Sequence, residues 1–180
     1  MFITSGDKKK LLLEVKGIYH RIRLCGVLKP LLYQGRGGKE HMRPFTIYFP
    51  FEPIPKGRPR FTRFGKAYTP KRTQDYEMAI ADYFKENPDV PKFEKDIPIA
   101  INLVFGMGVP KSAPKSRAAA MLEGIIKHTK RPDLDNLQKA VLDALNGIAW
   151  ADDSQIVRIT AKKEYTEHPY IYLYMYEYTD

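Results

Sequence analysis

The chain has little cysteine and no long apolar run. Cys25 is the single cysteine of the 180 residues, which excludes an internal disulfide and is typical of a protein in the reducing cytoplasm. No segment approaches the roughly eighteen consecutive apolar residues that span a bilayer. Three lysines and three leucines at residues 8–13 resemble the start of a signal peptide, but Glu14 and Lys16 interrupt the apolar stretch. We therefore expect a cytoplasmic protein that has no membrane partner.

Acidic residues are fewer than basic ones, but the excess is unevenly placed. The net charge is +9 and the pI is near 9.5. Residues 1–42 hold nine Lys/Arg and three acids, so they contribute +6, and residues 43–180 contribute only +3. Basicity of the whole chain is therefore weak evidence that the main domain binds nucleic acid.

The sequence divides into a basic N-terminal extension and a main domain. Residues 1–42 lack a sustained hydrophobic period and end in a glycine-rich patch at residues 35–38. We expect this extension to be dispensable for function or not native to the domain. Residues 43–180 are expected to form one compact domain, since a hydrophobic content of 43% is enough for a core.

Hydrophobic periodicity predicts alternating strands and helices in the main domain. Strands are expected near residues 44–50, 97–106, 155–164 and 169–178. Thr69 and Pro70 look like the start of a helix that runs to about Asn87, and a second helix is expected over residues 134–146. The segment between residues 108 and 130 is basic, with a short helix near residues 118–122. This order predicts an α/β fold with a mixed, mainly antiparallel sheet and two principal helices.

Residues 131–155 place several carboxylates within one short stretch. Asp133 and Asp135 lie two residues apart at the start of the predicted helix, Lys139 follows, and the pair Asp152 and Asp153 comes after the helix. Carboxylates that are crowded together repel unless a cation lies between them, which favours a hard metal such as Mg²⁺. Such an ion can activate a water and stabilise the leaving oxygen in phosphodiester cleavage, and a lysine can offset charge that develops on the phosphate.

Each of these residues also has a purely structural interpretation. Asp133 or Asp135 could be an N-cap, and the aspartate pair could form a turn between helix and strand. On the helix, Leu134, Leu137, Val141 and Leu145 predict the face that packs on the sheet. Asp143 lies four residues after Lys139, so we expect it to be a surface partner of that lysine.

The block RPDLDNLQKAVLDALNG, the following DDSQ, and the KGRPRF segment with its YTPK continuation resemble the RusA family of Holliday-junction resolvases. The resemblance covers about residues 44–178. It implies a homodimeric, Mg²⁺-dependent endonuclease that cuts four-way DNA junctions by paired symmetric nicks. It also implies that Asp133, Asp135, Lys139 and Asp153 are catalytic and that the three aspartates bind the metal, whereas the role of Asp152 is less defined.

A basic segment with interleaved aromatics precedes the first helix. It holds seven Lys/Arg between residues 56 and 72, together with Phe61, Phe64 and Tyr68. Such a loop could bind phosphates and place an aromatic wedge at an unstacked junction step. The alternative is a solvated loop whose aromatics pack back on the core. Because the chain also contains the acidic block, DNA contact is the better interpretation. The leading candidates for DNA binding are Arg58, Arg60 and Lys66.

Three further hypotheses remain open at this level. His128 lies five residues before Asp133, but a lone histidine is more often structural than a ligand. The chain could be a metal nuclease that acts on other branched DNA. It could also be a DNA-binding module without catalytic activity, in which the acids are structural.

Overall fold

A computed structural model describes residues 44–87 and 91–179, so the expected N-terminal extension at residues 1–42 lies outside the described residues. The described residues form strands and helices in the following order. These are β1 (Phe45–Phe49), β2 (Arg60–Phe61), β3 (Ala67–Tyr68), α1 (Lys71–Lys85), β4 (Ile99–Gly108), α2 (Lys115–Leu122), α3 (Leu134–Leu145), β5 (Ile156–Thr166) and β6 (Tyr170–Glu177).

The main sheet is mixed, and its strands run in the order β1-β6-β4-β5. β6 pairs antiparallel with both β1 and β4, whereas β4 and β5 are parallel, with Ile101 opposite Ile159. A parallel pair needs a long crossover connection, and α2 and α3 lie within it. This confirms the expected α/β class and the mixed, mainly antiparallel sheet. The third, short helix α2 begins three residues earlier than expected.

Helices α1 and α3 pack on one face of the sheet and on each other. The apolar stripe of α1, Tyr76, Ile80 and Phe84, is buried as its spacing predicted. On α3 the residues Leu137, Val141 and Leu145 are buried, and Leu134 is partly buried against the same core. The polar side of α3 is thereby fixed towards solvent.

The start of α1 differs slightly from expectation. Pro70, with φ −56° and ψ 139°, occupies the N-cap of α1, so the helix begins at Lys71 and Thr69 is not the cap. The extended ψ of Pro70 explains the shift, because a first helical residue would need a helical ψ. At the C-terminal end of α3, Gly147 adopts a left-handed φ of +74°. It follows the cap residue Asn146, which agrees with a glycine that closes the helix.

Strands β2 and β3 form a small antiparallel hairpin in the segment that the sequence indicated as a loop. Its side chains are all exposed, so it shows none of the alternating burial by which a strand is recognised. Trp150 is fully buried in the core. In the described part of the chain, no helix is long and apolar enough to cross a membrane.

Candidate active site

Asp133 lies at the N-cap of α3 but does not act as its cap. Its backbone is extended, with φ −71° and ψ 144°, and its side chain makes no capping hydrogen bond. Asp135 follows in the first helical turn, and both aspartates are exposed. The N-cap interpretation of Asp133 is therefore wrong. Its carboxylate is available to a ligand at a helix end where backbone N–H groups are also unsatisfied.

The segment before Asp133 is held by a lysine from another strand. Nζ of Lys163, on β5, donates hydrogen bonds to the backbone oxygens of Lys130 and Pro132 at 2.9 and 2.7 Å. The carbonyl of Pro132 is joined directly to the nitrogen of Asp133. Lys163 therefore fixes the approach to the acidic motif, a role that no local sequence signal indicated.

Asp153 is oriented by the core. It begins a short 3₁₀ turn at Asp153–Gln155, and its Oδ1 accepts a hydrogen bond of 2.7 Å from Nε1 of the buried Trp150. A buried indole N–H needs an acceptor, so this bond satisfies the indole and restricts the rotation of the carboxylate. The signal that could have predicted it is the three-residue separation of the two side chains across a turn.

Asp152 has a structural role that separates it from its neighbour. Its Oδ1 accepts from the backbone N–H of Ser154 at 2.9 Å, and the Gln155 side chain accepts from the backbone N–H of Asp152 at 3.1 Å. This reciprocal pair is a capping box. Hydrogen bonds from Ser154 lower the pKa of the Asp152 carboxyl. The turn interpretation of the pair therefore holds for Asp152.

Lys139 is exposed on α3, but the expected pairing of this residue with Asp143 is wrong. Asp143 instead accepts from Nζ of Lys56 at 2.7 Å, and the same ammonium group also binds Glu77. Burial alone would lower the pKa of Lys56, but its hydrogen bonds to Asp143 and Glu77 outweigh that effect and raise the pKa. A half-buried partner from a distant segment is therefore preferred to the local one.

Lys56 also joins the basic segment to the acidic motif through its backbone. Its N–H donates to the carbonyl of Asn136, in the first turn of α3, at 2.8 Å. The ammonium group meanwhile bridges α1 and α3 through Glu77 and Asp143. Lys56 therefore forms ion pairs within the domain, whereas the other Lys and Arg residues of the basic segment form none among the described residues.

A cleft of about 650 Å³ opens between the basic segment and the start of α3. Arg58, Arg72 and Arg131 line it together with Asp133 and Asn136. Among the described residues, none of the three guanidinium groups has an ion-pair partner. An unneutralised cluster of guanidinium groups favours a ligand that carries phosphate.

The predicted DNA-binding residues do not all lie in this cleft. Arg58 and Arg72 also line a neighbouring cleft of about 420 Å³, where Arg60 joins them. Lys66 lies farther along the chain, at the end of the hairpin turn. Arg72, in the basic segment, and Arg131, two residues before Asp133, were not among the leading candidates, but both line the cleft. For Arg72 the reason is that only the fold brings it to the same cleft as Asp133.

Across residues 44–87 and 91–179, no three His, Cys, Asp or Glu side chains form a group that could hold a metal ion. The structure therefore does not gather Asp133, Asp135 and Asp153 into a complete cage. Mg²⁺ seldom uses one, since it is usually bound by one or two carboxylates, waters and substrate phosphates. The exposed carboxylates of Asp133 and Asp135 are hard oxygen donors, so they fit such an open site.

His128 packs within the domain. Its ring lies 4.7 Å from that of Tyr165, and its Nδ1 is buried with no hydrogen-bond partner in the described structure. Burial and the nearby positive charge of Lys163 lower the pKa of His128. These surroundings favour a neutral structural residue, as the sequence indicated.

Comparison with known proteins gives two matches that cover most of the described chain. The family model described as "Endodeoxyribonuclease RusA" matches residues 50–176. The chain is also 32% identical over 130 residues to "Uncharacterized protein YqaN" of Bacillus subtilis (strain 168), an alignment that covers 69% of this chain and 89% of that protein. The residues that the family model matches include the acidic motif, both clefts and the whole main sheet except β1 and the last residue of β6. The chain belongs to the RusA family of endodeoxyribonucleases.

Proposed function

We propose that this protein is a Mg²⁺-dependent Holliday-junction resolvase, with residues 43–180 as its nuclease domain. It would cut four-way DNA junctions by paired symmetric cleavage in cytoplasmic recombination and repair. The observation that carries the proposal is the cleft at the start of α3. There Asp133, whose side chain makes no capping hydrogen bond, lines the cleft together with three arginines that have no ion-pair partner among the described residues. That arrangement suits a phosphodiester and a divalent cation at one place.

Asp133, Asp135 and Asp153 are the proposed metal ligands. A bound Mg²⁺ would supply Lewis acidity to the phosphate and lower the pKa of a water. The protein's own part is to hold these oxygens in place. Lys163 fixes the chain before Asp133, and Trp150 restricts the rotation of Asp153. The ammonium group of Lys139, one helical turn after Asp135, would offset negative charge on the phosphate as the bond breaks.

Arg58, Arg60 and Lys66 are the proposed DNA-binding residues, and the cleft adds Arg72 and Arg131. Arginine binds phosphate through two parallel N–H groups, which gives it a geometric preference that lysine lacks. Contacts of this kind position the DNA backbone but do not read its sequence. We therefore expect the affinity to fall steeply as salt concentration rises.

A homodimer is part of the proposal because the substrate has two-fold symmetry. Two opposed strands must be cut at equivalent positions, and a C2 dimer presents one site to each. Sedimentation equilibrium of the purified protein, with and without a junction, tests this assembly directly. A monomer at the concentrations that support paired cleavage would contradict it.

The main test uses purified protein, Mg²⁺, a synthetic four-way junction and a linear duplex matched in sequence. We expect symmetric nicks in the junction and little cutting of the duplex. Asp133→Asn should abolish cleavage and retain junction binding, because it removes a charge and leaves the fold unchanged. Asp82→Asn, on α1, is a useful control for an exposed carboxylate that lies outside the cleft lining.

Two other outcomes would favour the alternative functions. Equal cutting of a junction, a flap and a fork would indicate a metal nuclease for branched DNA in general. Tight junction binding without cleavage under any divalent metal would leave a non-catalytic DNA-binding module. The capping role of Asp152 is compatible with each of these alternatives. The side chain of Asp133 makes no capping hydrogen bond, which favours the enzyme.

A further inference from the structure

We propose that the β2–β3 hairpin is a wedge that inserts Phe64 between bases at the branch point of the DNA. The inference rests on the proposed function and names the part of the substrate that this hairpin recognises. It concerns residues outside the acidic motif. Their role is to separate stacked bases, whereas the cleft binds the backbone.

The hairpin turn presents Phe64 at its apex. The backbone N–H of Thr62 donates to the carbonyl of Lys66 at 2.8 Å, and the N–H of Lys66 donates to the Thr62 hydroxyl oxygen at 3.1 Å. The N–H of Gly65 returns to the carbonyl of Thr62 at 2.9 Å, and Gly65 has a left-handed φ of +76°. These bonds close a three-residue loop, Arg63–Phe64–Gly65, of a kind that is common in β-hairpins. The ring is thus held on an ordered turn.

The aromatic residues of the hairpin are exposed to an unusual degree. The Phe64 side chain is 94% exposed and that of Phe61 is 71% exposed, and Tyr68 is also exposed. The alternative interpretation from the sequence, that these rings pack back on the core, is therefore wrong. Single exposed apolar residues are ordinary, but three rings on one short hairpin form a surface that suits a planar ligand. Base faces stack on such rings whatever their sequence.

The charge of the hairpin selects a polyanion as its partner. Arg60, Arg63 and Lys66 alternate with the rings, and no acid occurs between Pro53 and Gln74. An uncharged protein surface or an apolar surface would have to desolvate these cations without compensation. Nucleic acid supplies both features at once, because phosphates pair with the cations and unstacked bases cover the rings.

The hairpin also starts at the edge of the candidate site. Arg58 lines the cleft beside Asp133, and β2 begins two residues later. Phe64 lies six positions after Arg58, and an extended chain covers at most about 3.6 Å per residue, so the two Cα atoms are at most ~22 Å apart. With a rise of about 3.4 Å per nucleotide, that reach corresponds to roughly six nucleotides. Phe64 should therefore contact the DNA within about six nucleotides of the phosphate that Arg58 is proposed to bind.

The test measures base unstacking separately from cleavage. A four-way junction carries 2-aminopurine at the branch point, and binding is followed by its fluorescence in Ca²⁺ or with Asp133→Asn, so that no strand is cut. We expect the wild-type hairpin to raise the fluorescence and Phe64→Ala to lose most of that rise. Junction cleavage should fall about tenfold in Phe64→Ala, within the range measured for base–aromatic stacking, with less than a twofold change in binding to linear duplex.

Two further variants make the result specific. Phe64→Trp keeps a stacking face and should retain both the fluorescence rise and the cleavage rate. Ile125→Ala removes another exposed apolar side chain, 71% exposed and outside the hairpin, and should behave as wild type. Equal fluorescence from wild type and Phe64→Ala would overturn the wedge.

A change in assembly would also overturn the proposal. If Phe64→Ala converts a dimer to a monomer in sedimentation, the hairpin is a surface between two copies of the chain. If wild type unstacks the branch point but cuts no junction, the proposed function fails and the wedge stands. If it cuts the junction without unstacking, the wedge fails and the proposed function stands.

Discussion

The indole N–H of Trp150 donates a hydrogen bond of 2.7 Å to Oδ1 of Asp153. Trp150 is fully buried, whereas Asp153 is partly exposed at the start of the 3₁₀ turn. Because the indole is held in the core, the bond restricts the rotation of a carboxylate at the surface. Partners of this kind, which orient a functional group without touching the substrate, commonly change activity when they are lost.

Trp150→Phe should lower the cleavage rate more than it lowers stability or DNA binding. The variant keeps an aromatic ring in the core but removes the donor to Asp153. We expect a loss of about 10-fold in the single-turnover rate, at the lower end of the range for such partners. The check is the rate at several Mg²⁺ concentrations, together with the melting temperature. A rate equal to wild type in a folded variant would show that the hydrogen bond does not position Asp153.

The two adjacent aspartates should respond differently to the same conservative change. Asp152→Asn keeps a side-chain oxygen for the Ser154 N–H, and asparagine is as good a cap as aspartate. We therefore expect near wild-type cleavage for Asp152→Asn and loss of cleavage for Asp153→Asn. Single-turnover assays on one junction would compare them. Equal loss in both variants would place Asp152 in the catalytic set.

Lys163→Met should impair cleavage by releasing the chain before Asp133. The variant removes the donors to the carbonyls of Lys130 and Pro132, so the start of α3 loses two anchors. We expect a fall of about 10-fold in cleavage rate, comparable to the loss of a group that orients a ligand. Lys162→Met, which removes the Lys162–Glu164 pair at 2.7 Å, is the matched control and should cut normally. Similar rates in the two variants would argue against this positioning role.

Lys56→Met should destabilise the domain by about 1–2 kcal/mol, between the values for exposed and buried ion pairs. It leaves Glu77 and Asp143 without their shared cation. Lys85→Met breaks an exposed pair with Asp82 at 3.8 Å and should change the free energy of unfolding by less than ~0.5 kcal/mol. Urea denaturation of both variants distinguishes them.

The raised pKa of Lys56 also predicts the pH at which this stabilisation is lost. A lysine whose folded pKa exceeds its ordinary 10.5 contributes fully below that value, and the contribution disappears as the pH rises through the folded pKa. The unfolding free energies of wild type and Lys56→Met should therefore converge only above about pH 10.5. Convergence near neutral pH would contradict the ion-pair account.

The helices and strands of the core were largely predictable because local periodicity sets them. Tyr76, Ile80 and Phe84 are spaced for one helical face, and burial of that face explains α1. The position of Asp133 at the start of α3 followed in the same way. These predictions depend on residues within a few turns of each other, where sequence distance and spatial distance agree.

The contacts that complete the candidate site join distant segments, and no local pattern contains them. Lys163 binds a carbonyl 31 residues earlier in the chain. Lys56 is paired with Asp143 across the domain, although Lys139 is the nearer cation in sequence. The hairpin escaped prediction for another reason: its strands have two residues each and bury neither side.

The exposure of residues 58–68 has a consequence for how the substrate range of such a chain could change. None of these residues is buried, so lengthening, shortening or replacing the hairpin would leave the packing of the core intact. The acids come from a different part of the chain, the crossover between β4 and β5. If the hairpin contacts the branch point as proposed, exchange of this one loop between relatives would change the shape of DNA that is bound and leave the acidic motif unchanged.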